Sequence, residues 1–265
     1  MGKLKVLLVV AFAGLLACEK VIDLPLNEAD QRVVIEAVLK DVPDSSYVLI
    51  SRSGTVYQEE DFSTIDDATV KIYDGDGTLF SFDHVEDGYY ANDGFLVVPG
   101  QLYRLDVLAD GQKYEAVCAA KSKPSIDSLS FLRISGQFGV PEEDTLNLIS
   151  FHSVDKPDEA NYYWMRIFRN GKMNSGYYLG NDLFINGSYF EAQFFGSEAK
   201  NGDTVLVEMI SMDKANYNYM YGLANALSSG PISVSPANPP SNISNDALGF
   251  FGAYTTDTLS IILPY

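Results

Sequence analysis

Apolar and polar residues alternate along short stretches of this chain, and residues typical of turns separate these stretches. Side chains on a strand point alternately to opposite faces, so a period of two predicts strands with one buried face. Many short strands joined by turns favour a mainly β fold built from sandwiches. The predicted strands cover residues 32–39, 47–53, 68–73, 78–82, 102–109, 113–120, 128–134, 146–153, 162–169, 188–195, 204–212 and 258–263.

The clearest hairpin joins residues 102–109 to residues 113–120. Asp110 and Gly111 lie between them, and both residue types tolerate the positive φ angles of a two-residue turn. On the second of these strands Cys118 shares a face with Tyr114 and Ala116. We therefore expect Cys118 to be a buried core residue and not a reactive thiol.

The alternating pattern breaks at residues 121–125 and restarts at Ile126, which predicts a domain boundary. Residues 31–122 are predicted to form an N-terminal β-sandwich of the immunoglobulin-like or transthyretin-like kind. Residues 126–265 are predicted to form a second β-sandwich-like domain that carries one helix. A chain of 265 residues is long enough for two such cores.

The period changes to that of a helix between residues 213 and 229. Asp213 is the predicted N-cap of this helix, and Gly230-Pro231 is the predicted stop. Apolar residues at helical spacing predict one face that packs on a sheet. They are Tyr217, Met220, Tyr221, Ala224 and Leu227.

The N-terminal residues have the composition of a secretory signal. Lys3 and Lys5 precede a run of twelve apolar or small residues, 6–17, which is shorter than the roughly 20 residues that span a bilayer. The run ends in Leu-Leu-Ala-Cys at Cys18, which resembles the lipobox where bacterial lipoproteins are cleaved and acylated. We expect a signal peptide over 1–17, lipidation at Cys18 and a tether over 18–30. An ordinary secretory signal is the alternative.

Three stretches together resemble a family of Bacteroidota outer-membrane lipoproteins catalogued as domain of unknown function number 4249. They are the segment 18–24, the helix at 216–227 and the closing run at 239–254, in which Asn242-Ile243 precedes Leu248-Gly-Phe-Phe-Gly-Ala253. The spacer 244–247 lacks the pair of glycines often seen there. The resemblance implies a lipid-anchored protein whose gene lies beside that of a TonB-dependent receptor, a β-barrel nutrient importer. It implies no catalytic or binding residues.

The charge balance argues against several classes of function. With 36 acidic and 18 basic side chains, the net charge is −18, which makes nucleic acid an unfavourable partner. Two cysteines and two histidines are too few for a disulfide framework or the usual zinc site. We expect no metal and no cofactor; weak calcium binding in acidic loops is the alternative. Asp74-Gly-Asp-Gly77 is interpreted as a hairpin turn, since a calcium loop starting there would need Gly and Glu at Leu79 and Val85.

The sequence carries no nucleophile or metalloprotease motif, so we interpret the protein as non-enzymatic. A hydrolase whose paired carboxylates meet only in the fold is the alternative. Residues of the aromatic-rich strands and of the closing run are the candidates for contact with a ligand or partner: Tyr163, Trp164, Tyr178, Asn242, Phe250 and Phe251. The structural alternative is a sheet face covered by the helix, with the two phenylalanines filling the core.

These observations favour an outer-membrane lipoprotein at the cell surface, with the periplasmic face as an alternative. We expect an accessory subunit for ligand capture or uptake with a TonB-dependent receptor. Without residues 1–17 the chain has 16 basic and 36 acidic side chains, a net charge of −20 that favours solubility. The alternative is a fimbrial or adhesive structural subunit matured by cleavage between Arg32 and Val33.

Overall fold

The protein is described here by a computed structural model that covers residues 31–54, 63–137, 141–142, 144–157, 159–174, 176–228 and 238–265. It is mainly β, with 51% strand and 7% helix, and its β-sandwich-like fold with one helix confirms the predicted fold class. The predicted signal peptide, Cys18 and the tether lie outside the described residues. No helix within the described ranges is long and apolar enough to cross a membrane.

The described ranges contain fifteen strands and one helix. The strands of the first half are β1 (Val33–Lys40), β2 (Tyr47–Arg52), β3 (Thr69–Tyr73), β4 (Leu79–Glu86), β5 (Tyr89–Ala91), β6 (Leu102–Ala109) and β7 (Gln112–Ala119). Those of the second half are β8 (Ser128–Ile134), β9 (Leu146–Val154), β10 (Tyr162–Arg169), β11 (Lys172–Met173), β12 (Tyr178–Asn181), β13 (Tyr189–Gln193), β14 (Thr204–Met212) and β15 (Leu248–Ile262). The helix is α1 (Lys214–Ser228).

One long sheet of twelve strands runs through most of the protein, in the order β11-β10-β14-β15-β1-β2-β5-β4-β3-β6-β7, with β12 paired to β10. A separate three-stranded sheet has the order β13-β9-β8. The small sheet covers one face of β10 and β14, where Phe151 packs with Met165 and Val207. The helix covers the opposite face, so this half of the molecule has three layers.

Strand β15 joins the two halves of the chain. It pairs in parallel with β1, from Val34 with Leu248 to Lys40 with Tyr254, and antiparallel with β14. Its first part contributes Phe251 to the core of the N-terminal half, and its last part packs Leu259 and Ile261 against the core of the C-terminal half. The division into domains of residues 31–122 and 126–265 stays a prediction, but β15 contributes side chains to the cores of both halves.

Two predicted hairpin turns are confirmed. Asp110 and Gly111 adopt φ angles of 51° and 73° between β6 and β7, as a two-residue turn requires. Between β3 and β4 the Asp74 carboxylate accepts the main-chain N–H groups of Asp76 and Thr78 at 3.0 and 2.8 Å. Local hydrogen bonds of this kind explain the Asp-Gly-Asp-Gly sequence without a cation.

Cys118 is buried in the first core, as predicted, and burial raises the pKa of its thiol well above the ordinary value. Because only the thiolate is a good nucleophile, this shift disfavours reactivity at neutral pH. The cysteine therefore belongs to the packing of β7.

The helix begins as predicted, because the Asp213 carboxylate accepts the Asn216 N–H at 2.9 Å. The predicted buried face is wrong in part, since Tyr221 is 54% and Leu227 66% exposed. Asn216 faces the sheet instead, and its side-chain amide donates to the Phe251 carbonyl at 2.9 Å. A pattern of apolar residues does not include a buried asparagine, so the predicted buried face of the helix is rotated relative to the observed one. The predicted stop at Gly230-Pro231 lies outside the described residues.

Candidate ligand-binding site

A cavity of about 240 Å³ lies between the helix and the long sheet. Its floor is formed by neighbouring strands β2, β1, β15, β14 and β10, and its roof by α1. Most of the lining is aromatic or aliphatic, with three charged side chains. The lining residues are Glu36, Val38, Lys40, Tyr47, Trp164, Arg166, Tyr177, Ile210, Tyr219, Met220, Leu223, Phe250 and Tyr254.

The side chains of β1 point alternately to the core and to the cavity. Ile35, Ala37 and Leu39 are fully buried in the first core. Glu36, Val38 and Lys40 point to the other face and line the cavity. The same alternation on β15 sends Phe251 and Ala253 into the core and Phe250 and Tyr254 towards the cavity.

Aromatic contacts form two walls of the cavity. The Trp164 ring stacks on Tyr177 with centroids 6.0 Å apart and planes 8° from parallel. Tyr219 of the helix lies against Phe250, with centroids 4.8 Å apart. Such rings offer flat apolar surface to a ligand, with a polar group at the edge of each tyrosine and tryptophan. The indole N–H of Trp164 is buried and has no hydrogen-bond partner within the described part of the chain.

Glu36 and Lys40 bring opposite charges to this apolar setting. Both are half-buried, and within the described ranges neither forms a salt bridge or a side-chain hydrogen bond. Burial raises the pKa of the Glu36 carboxyl. Burial, together with the positive charge of Arg166, lowers the pKa of the Lys40 ammonium. Both shifts mean that the folded protein disfavours the charged form of each group.

Arg166 is the third charged group, and its charge is compensated. It pairs with Glu208, the residue directly opposite on β14. Its guanidinium also lies 5.3 Å from the Trp164 ring and 5.6 Å from the Phe168 ring. Arg166 is therefore held in place, in contrast to Lys40.

The helix is fixed over the cavity by a small polar network. The Tyr254 hydroxyl donates to Asn216 Oδ1 at 3.0 Å, and burial raises the pKa of that phenol well above the ordinary value. Asp213 Oδ2 accepts the Ala119 N–H at 3.1 Å, which links the helix to β7. These bonds hold the roof of the cavity to both halves of the chain.

Two of the sequence-predicted contact residues, Trp164 and Phe250, line the cavity. The others lie elsewhere. Tyr163 is in the core beneath the small sheet, and its hydroxyl donates to Asp155 at 2.9 Å. The Tyr178 hydroxyl donates to the Phe195 carbonyl at 2.8 Å. Asn242 holds the main chain of Phe251, whose ring is in the first core.

Sequence reasoning missed Glu36 and Lys40. A carboxylate and an ammonium that alternate with apolar residues on one strand are the usual pattern of a solvated strand face. The two charged residues indicate a site only when the neighbouring strand is known, because β15 pairs Glu36 with Phe250 and Lys40 with Tyr254. These pairs are more than 200 residues apart in the sequence.

A second cavity, of about 380 Å³, lies beside β10 and β11. Three of its four polar side chains, Arg169, Asn174 and Ser197, have hydrogen-bond partners in the protein. Asn174 donates to the Gly196 carbonyl at 3.2 Å and to Ser197 Oγ at 2.6 Å, and Arg169 donates to the Glu198 carbonyl at 2.8 Å. Its lining contains no aromatic residue among those described. The first cavity is therefore the better candidate for ligand binding.

A polar cluster on the small sheet resembles part of a nucleophile relay. Ser130 Oγ lies 2.7 Å from His152 Nε2, and His152 Nδ1 lies 2.5 Å from the Tyr189 hydroxyl. Tyr189 is 60% exposed, and none of the three residues lines either cavity. The three residues therefore form no catalytic site with either cavity. No group of three or more potential metal ligands occurs in the described ranges.

The fold and the cavity define a class: a mainly β, sandwich-like protein whose single described helix covers a cavity on the sheet. The chain belongs to the family described as Domain of unknown function (DUF4249), whose model matches residues 19–260. No curated protein matches the chain.

Proposed function

We propose that this protein is a non-enzymatic, lipid-anchored protein of the outer membrane that captures a small ligand in the cavity beneath the helix. In this role it is an accessory subunit of a TonB-dependent receptor. The lipobox-like sequence at Cys18 supports the anchor, and the family resemblance supports the association with a receptor. Ligand capture is supported by the cavity itself.

The observation that carries ligand capture is the composition of the cavity. Aromatic stacks and two half-buried charges without a salt bridge among the described residues surround a space of about 240 Å³. Apolar surface with a few convergent polar groups is the usual composition of a ligand pocket. A site of this kind acts by contact: the aromatic walls exclude water and the charges orient the ligand.

The membrane role is tested by purification from native membranes in mild detergent, with the anchor intact. We expect a large β-barrel to co-purify with the wild type. In a Cys18→Ala variant, which lacks the acylated residue, we expect the protein to be lost from the outer-membrane fraction. Purification of the anchored wild type without any barrel would contradict the accessory role.

Intact mass separates this proposal from the fimbrial alternative. A lipidated species that begins at Cys18 supports the accessory protein. A species that begins at Val33, after cleavage behind Arg32, would contradict it and support the fimbrial subunit.

A further inference from the structure

The two unpaired charges of the cavity lie on one strand, at a spacing set by the backbone. Glu36 and Lys40 are four residues apart on β1, with Val38 between them on the same face. At about 3.3 Å per residue, their Cα atoms are roughly 13 Å apart. The cavity therefore has a negative group towards one end and a positive group towards the other.

The neighbouring elements preserve this polarity. Arg166 forms a salt bridge with Glu208, whereas Lys40 forms none among the described residues. Glu208 and Asp41 favour the charged form of Lys40, but burial and the positive charge of Arg166 outweigh them. Burial is the cause of the raised pKa of Glu36. Its charge in turn raises the pKa of the phenols of Tyr47 and Tyr219, which are neutral at pH 7. Val38 lies between the two charges on β1, and Phe250 pairs with Glu36 and packs against Tyr219.

Neither charge is explained by stability. A half-buried charge without a counter-charge costs free energy of folding, because burial removes part of its hydration. A neutral residue of similar size at either position would avoid that cost. A ligand that brings an opposite charge to each end would turn both groups into favourable contacts.

We infer that the cavity binds an elongated zwitterion of about tripeptide length, with its ammonium at Glu36 and its carboxylate at Lys40. The inference rests on the proposed function in that it takes the cavity to be a ligand site. Three extended residues span roughly 10 Å, which is shorter than the Cα separation of about 13 Å between Glu36 and Lys40. The aromatic walls contact the apolar part of the ligand.

Isothermal titration calorimetry with trialanine and its blocked forms tests the inference directly. N-acetyl-trialanine lacks the cation, and trialanine amide lacks the anion. We expect the wild type to bind trialanine at least tenfold more tightly than either blocked form. Equal affinities for the three probes, or no binding of trialanine, would overturn the inference.

Two variants assign the ends of the ligand. Glu36→Gln should bind trialanine and N-acetyl-trialanine equally weakly, and Lys40→Met should no longer distinguish trialanine from its amide. Glu86→Gln and Lys71→Met make the same charge changes outside the cavity and should keep wild-type affinity. Thermal unfolding of each variant shows that it is folded, and loss of binding in the two control variants as well would overturn the assignment.

A neutral trisaccharide separates failure of this inference from failure of the proposed function. Suppose that maltotriose binds, that Trp164→Ala abolishes this binding, and that trialanine does not bind. The inference of a zwitterionic ligand is then wrong, and the proposal of ligand capture stands. Co-purification of a β-barrel is measured independently of both probes.

Discussion

Strands β1 and β15 have two faces with different surroundings, although both faces belong to the same hydrogen-bonded pair. On one face Ile35, Leu39 and Phe251 are fully buried in a dry apolar core. On the other, Glu36, Lys40 and Phe250 border a cavity. Since the two faces share the same backbone pairing, they differ only in the side chains they carry and in what covers them. One face stabilises the fold, and the other is arranged for contact with a ligand.

The largest expected effect comes from Gly249, which pairs directly with Ile35 on β1. Gly249 has a φ of +95°, and a Cβ there would lie 2.0 Å from the Ile35 carbonyl oxygen. Gly249→Ala should therefore lower the free energy of unfolding by about 3–5 kcal/mol, measured by urea denaturation. Gly77→Ala is the matched control, because its φ is +83° and no atom lies within 4 Å. It should lose only about 1–2 kcal/mol, and equal losses would contradict a steric role for Gly249.

Adjacent phenylalanines compare the two faces directly. Phe251→Ala empties a fully buried site in the dry core and should cost about 3–5 kcal/mol. Phe250→Ala enlarges an existing cavity and should cost about 1–3 kcal/mol, since fewer close contacts are lost. Urea denaturation measures both, and calorimetry should show weaker trialanine binding only for Phe250→Ala. A larger stability loss for Phe250→Ala would break the comparison.

A smaller loss of stability is expected when the hydrogen bonds that hold the helix over the cavity are removed. Asp213 accepts N–H groups from Asn216 at 2.9 Å and from Ala119 at 3.1 Å. Asp213→Ala removes the cap and the link to β7, and should lower the free energy of unfolding by about 1–2 kcal/mol. Asp213→Asn keeps an acceptor at the cap and should lose less. If both variants equal the wild type in thermal unfolding, the cap does not hold the helix.

The smallest effect has the opposite sign. Because the pKa of Lys40 is lowered in the folded state, the unfolded chain holds this proton more firmly. The destabilisation by Lys40 should disappear as pH increases from the lowered pKa to the ordinary value of 10.5. At neutral pH the free energy of unfolding of Lys40→Met should therefore exceed that of the wild type by up to about 1 kcal/mol, a value that allows for solvent screening. Above pH 10.5 the variant should show no gain. A loss of stability at pH 7, with Lys71→Met unchanged, would contradict this.

Local chemistry explains which parts of the fold were predictable. The turn at Asp110-Gly111, the cap at Asp213 and the buried face of Cys118 each depend on residues close in sequence, and all three predictions are confirmed. The helix face was partly wrong because Asn216 is buried through a hydrogen bond to Phe251, a contact across 35 residues. Propensity and periodicity carry no information about such a contact.

The candidate site was predictable only in its aromatic part. Trp164 and Phe250 were visible as members of aromatic clusters, and both line the cavity. Tyr163 and Tyr178 belong to similar clusters but pack beneath the small sheet, since β10 has a layer on each face. Glu36 and Lys40 needed the parallel pairing of β1 with β15, which depends on the whole fold.

The most direct test of this account measures the stability and ligand affinity of Glu36→Gln together. Because the pKa of Glu36 is raised in the folded state, its contribution to stability should fall as pH rises above the ordinary value of 4.5. At pH 7 we expect Glu36→Gln to be more stable than the wild type in urea and to lose at least tenfold in trialanine affinity. Below pH 4.5 the stability difference should vanish. A variant that is less stable at pH 7 and binds trialanine as the wild type does would contradict a face arranged for binding at the expense of stability.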